Sequence, residues 1–153
     1  WAAEQAAKLI DNTGKTALKA EMQSAKTALK FAGENQFQAL SEHDSRFHTL
    51  VSSISGNQTV ADFYDRTHCH LHLFRLYMAN KLHHIDGESR AAFVQDLFEK
   101  YYQRGSGQLA LKEHEVIAKA ILDQNAKAAR AAMHTHIESS LKRFSPAALA
   151  AGK

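Results

Sequence analysis

Asp44 and His48 lie four residues apart in a segment whose apolar positions, Phe47, Val51 and Ile54, recur at helical spacing. Four residues is just over one turn, so the two polar side chains stack on a face shared with the apolar ones. An ionised carboxylate on an inward face is costly unless something positive meets it. Two more histidines fall on apolar stripes. His114 sits among Ala110, Ile117, Ala118 and Ile121, and His136 among Ala129, Met133, Ile137 and Phe144. His134, two residues before His136, is about 160° around the helix, beside Arg130 and Glu138, and is expected to face outward. One Asp and three His pointing inward from three helices form a borderline nitrogen and oxygen donor set. It suits a divalent metal, zinc, nickel, manganese or iron, and gives no strong choice among them. Taken one at a time, each histidine also reads as a hydrogen-bonded core residue. The spacing is not that of an H-E-x-x-H protease, and no Glu is placed as a general base.

A second pattern lies on the segment from about 59 to 81. Val60, Phe63, Tyr64, Leu71, Phe74 and Met78 mark one apolar sector, and Cys69, Leu73, Leu76 and Tyr77 another. His68, His72 and Arg75 form a narrow polar stripe between them. The stripe reads either as a solvated strip or as the wall of a polar cavity. In a cavity, Arg75 could hold a carboxylate through two parallel hydrogen bonds. Cys69 reads as a small core residue, and Arg66, His70, His83 and His84 as surface residues.

The elements that must carry these side chains are helical almost throughout. Turn signals divide the chain into helices at about 2 to 10, 15 to 31, 41 to 54, 59 to 81, 90 to 103, 108 to 122 and 125 to 143. Asp11 to Gly14, Gly33 to Asn35, Ser55-Gly56-Asn57 and Asp86-Gly87 read as breaks. Ser41 followed by Asp44 reads as a capping box, and Asp123 as the N-cap of the last helix. Ser145-Pro146 and a small-residue tail close the chain. The expectation is an all-α bundle of six to seven helices.

Composition narrows the function. At 153 residues the chain is one domain with room for a hydrophobic core. One Pro and seven Gly argue against a turn-rich β fold, and Ala fills about a sixth of the chain, which favours helix. A single Cys excludes an internal disulfide framework and suits a reducing compartment, so a cytoplasmic location is expected. Any metal chemistry must therefore come from the ten histidines and the carboxylates. A net charge of +3, with basic residues scattered, does not resemble a nucleic-acid-binding surface. No apolar run reaches membrane-spanning length. Neither a phosphate-cradling Gly-rich loop nor a G-x-S-x-G elbow occurs.

Asp44-Ser-Arg-Phe47-His48, followed by Ser55-Gly56-Asn57, resembles the D-x-x-F-H…G-N signature of the FCD domain. That is the effector-binding domain of FadR-type members of the GntR family of bacterial transcription regulators. Glu113-His114-x-x-Ile117-x-x-Ala120-Ile121, then Ala128, Met133, His136-Ile137 and Ser140, resembles the second half of the signature. The resemblance implies an antiparallel all-α bundle that binds a small effector in a central cavity and dimerises. In the metal-binding branch it assigns Asp44, His48, His114 and His136 as metal ligands. It implies a small carboxylate effector, with Arg75, His68 and His72 as contacts and Asn57 as a further candidate. It also implies DNA binding through an N-terminal winged-helix domain that is absent from residues 1 to 153, and a surplus segment around 86 to 107. A regulatory, non-enzymatic role is expected. The competing readings are a stand-alone metal-dependent enzyme on a helical bundle and a purely structural module.

Overall fold

The computed structural model describes residues 1–31, 33–67 and 106–151. Among them there are six helices and no strand: α1 (Ala2–Leu9), α2 (Asn12–Ala28), α3 (Gly33–Ile54), α4 (Gln58–Thr67), α5 (Ser106–Leu122) and α6 (Ala126–Ala151). The all-α expectation holds. The helix expected at 90 to 103, and the continuation of α4 to 81, lie outside the described residues.

Several boundaries differ from the sequence reading, each for a local reason. The break after α1 is only Ile10-Asp11, because Asp11 is extended (φ −93°, ψ −176°) and accepts from Gly14 N at 2.7 Å, so it starts α2 rather than ending α1. Gly14 lies under this cap, where a Cβ would meet Ile10 Cγ1 at 3.1 Å and Asp11 Oδ1 at 3.3 Å. The helix expected from Ser41 begins eight residues earlier, at Gly33, so Ser41 is a buried interior residue and the capping box does not form. Gln36, in the first turns of α3, donates to Leu29 O at 3.0 Å and Phe31 O at 2.9 Å, satisfying carbonyls at the end of α2. Asp123 does not cap α6. Gln124 takes a left-handed conformation (φ 54°), Asn125 N bonds Ala120 O and Gln124 N bonds Ile121 O, which closes α5 in a Schellman turn. Asn125 Oδ1 then accepts from Ala128 N at 3.0 Å and caps α6, while Asp123 pairs with Lys119. Past Ser145-Pro146, expected to end it, α6 continues through an alanine-rich run of high helix propensity.

Pairs of helices turn back on one another. Glu21 reaches His43 and Arg46 across the α2–α3 corner, and Glu113 reaches His136 across the α5–α6 corner, as antiparallel hairpins require. The small residues Ala3, Ala6 and Ala7 are wholly buried and let α1 lie close against α6, α3 and α5. Leu18, Phe47, Val51, Ile117, Ile121 and Ala129 fill the shared core. Ile137, expected on the inner stripe of α6, is 58% exposed, and Phe63 of α4 is 67% exposed. Both sit one helical step from the residues that turn inward, His136 and Tyr64.

Candidate metal centre

Three helices bring four ligand atoms together. Asp44 and His48 come from consecutive turns of α3, His114 from the middle of α5 and His136 from α6. One atom from each lies within 4.8 Å of every other. His136 Nε2 is 3.2 Å from His48 Nε2 and 3.3 Å from His114 Nε2. Asp44 Oδ1 is 3.5 Å from His114 Nε2 and 3.8 Å from His48 Nε2. Nitrogens each about 2.0–2.1 Å from one ion, and a quarter turn or a little more apart around it, stand roughly 2.8–3.4 Å from each other. Both distances from His136 Nε2 fall in that interval and both Asp44 distances lie just above it, so the four donors converge closely enough to be candidate ligands of one divalent ion. His134, by contrast, is exposed beside Glu138, as expected.

The outer nitrogens of His136 and His114 are held as well. Glu113 Oε2 lies 2.7 Å from His136 Nδ1. A carboxylate accepts, so the ring proton sits on Nδ1 and the Nε2 lone pair faces the centre. His114 Nδ1 meets His43 Nε2 at 3.0 Å, and His43 Nδ1 meets Glu21 Oε1 at 2.8 Å. Arg46 Nε donates to the other oxygen, Glu21 Oε2, at 2.9 Å. Phe47 is fully buried and stacked on the His114 ring, centroids 4.2 Å apart, and meets His48 in a T-shaped contact. Tyr64 of α4 stacks on His48.

Burial pushes His114 well below the ordinary histidine range; His48 adds to the effect and Asp44 opposes it. Burial lowers His43 too, with Glu21 opposing. Neutral imidazoles are the form a metal binds.

Sequence reasoning found all four inward donors but missed His43, Glu21 and the role of Glu113. His43 carried a usable signal, since it lies three residues after Leu40 and four before Phe47, on the buried stripe of α3. Asn57 Oδ1 accepts from Val60 N at 3.2 Å and so caps α4 from an exposed position. His68, His72 and Arg75 lie outside the described residues, as do Cys69, His70, His83 and His84.

A family model, the FCD domain, matches residues 1–139. The chain belongs to the FCD-domain family. FCD domains are the effector-binding regulatory domains of GntR-type transcription regulators, so the bundle is a ligand-binding regulatory domain. No curated protein sequence matches the chain. Among the described residues of this FCD domain, no helix is long and apolar enough to cross a membrane.

Proposed function

We propose that this FCD domain senses a small organic acid at a divalent metal, zinc first, held by Asp44, His48, His114 and His136. The observation that carries the reading is the convergence of four donor atoms whose histidines are buried or half-buried, with the outer nitrogens of His136 and His114 engaged on Glu113 and His43. A bound ion would supply Lewis-acidic charge that attracts an anionic oxygen. The chain's own part is to bury His114 and His136 and to keep all four donors aimed at one point. His68, His72 and Arg75 are the proposed effector contacts, with Asn57 as a further one.

The site joins α3, α5 and α6, and α1 packs on all three. Arg130 of α6 also reaches Glu4 of α1 at 3.1 Å. An effector that binds one arrangement of α3 and α6 more tightly shifts the population toward it, and α1 follows. Through α1 the change reaches a winged-helix DNA-binding domain in a cytoplasmic homodimer. Thermal-shift measurements with a panel of small carboxylic acids test the proposal. Stabilisation by an acid only in zinc-loaded protein is the expected result. Equal shifts in loaded and chelator-stripped protein, or no metal bound by protein purified without chelator, would overturn it.

A further inference from the structure

We infer that Glu21 and His43 are positioning residues that set which nitrogen of His114 carries its proton, and so keep the Nε2 lone pair turned toward the donor cluster. The inference rests on the metal reading for its purpose but not for its geometry. Glu21 is anchored first: its Oε2 accepts from Arg46 Nε, which leaves Oε1 facing His43 Nδ1 at 2.8 Å. A carboxylate has no proton to give, so His43 donates from Nδ1. A neutral imidazole protonated on Nδ1 has a bare Nε2. That lone pair faces His114 Nδ1 at 3.0 Å, so His114 in turn donates from Nδ1. Its remaining lone pair, on Nε2, lies 3.3 Å from His136 Nε2 and 3.5 Å from Asp44 Oδ1. One carboxylate on α2 thus fixes, through two rings, the ligand atom presented by α5. His136 reaches the same state with a single carboxylate, Glu113.

Glu21→Gln separates this role from packing. Arg46 Nε–H claims the amide oxygen, which turns the NH2 toward His43 Nδ1 and reverses both rings, leaving His114 protonated on Nε2. Nitrogen-15 NMR of the imidazoles in stripped protein reads this directly. Wild type is expected to show His114 protonated on Nδ1, and Glu21→Gln to show it protonated on Nε2. Co²⁺ titration followed by its visible absorption should show affinity falling about 10–100-fold in Glu21→Gln, the usual cost of losing a partner behind a metal ligand. His43→Leu should weaken Co²⁺ similarly. His43→Gln, whose amide can accept from His114 and donate to Glu21, should stay within a few-fold of wild type. His114 protonated on Nε2 in stripped wild type would overturn the inference, as would wild-type Co²⁺ affinity in His43→Leu. If wild type takes up no Co²⁺ while the tautomers reverse as stated, the positioning role stands and the metal reading alone fails.

Discussion

Removing the proposed metal should destabilise the domain by an amount that follows from the site. The four donors come from three helices, and one atom from each lies within 4.8 Å of all the others only in the folded chain, so an ion bound there stabilises the native state alone. With free zinc at about 100 times Kd, that linkage is worth about 2.7 kcal/mol. A domain of this size moves roughly 2–4 °C per kcal/mol, so chelation should lower Tm by about 5–11 °C. Asp44→Ala deletes the anionic donor. If it weakens the site about a hundredfold, the same free zinc retains only about 0.4 kcal/mol, or roughly 1–2 °C. Each variant is compared with its own stripped state. That cancels whatever Asp44 does for the empty domain through its contacts with His114 and His48. Differential scanning calorimetry with EDTA or buffered zinc measures the two differences. A wild-type Tm indifferent to chelator, or an Asp44→Ala protein that keeps the full shift, would refute the argument.

Three further outcomes follow from single side chains. Ser41 Oγ is buried with no hydrogen-bond partner among the described residues, so Ser41→Ala should raise stability by about 0.5–1.5 kcal/mol, read as a higher urea midpoint; a lower midpoint contradicts it. Phe47→Ala opens a cavity beside His114 and should cost about 3–5 kcal/mol in denaturant unfolding, with weaker Co²⁺ binding as the ring loses its wall; a loss under about 1 kcal/mol would show that the ring is not the packing centre. In stripped protein, burial holds His43 and His114 below the ordinary histidine value, so the unfolded chain binds more protons as pH falls below about 6.5. Stability should therefore be retained above that pH and decline toward pH 5, and His43→Gln should decline less steeply. A flat urea midpoint across that window would count against it.

What the chain reveals on its own is angular. A helix period fixes which side chains share a face, so Asp44, His48, His114 and His136 could be placed inward from spacing against neighbouring apolar residues. The helix ends were less legible because competing caps stand close together. Asp123 and Asn125 are both good caps, and the left-handed Gln124 decides between them. Ser41-x-x-Asp44 has the form of a helix start, yet Gln36 already closes the end of α2 and the helix runs through.

Tertiary structure alone decided which polar residues face one another. The spacing of His43 from Leu40 and Phe47 marks it as inward but does not name its partners, because Glu21 and His114 come from other helices. Nothing in the period of α3 states that α2 places a carboxylate against it. Spacing along one helix is set by covalent geometry and can be read from the chain. The register between helices is set by packing, so the four converging side chains were legible in the sequence and the Glu21–His43–His114 contacts were not.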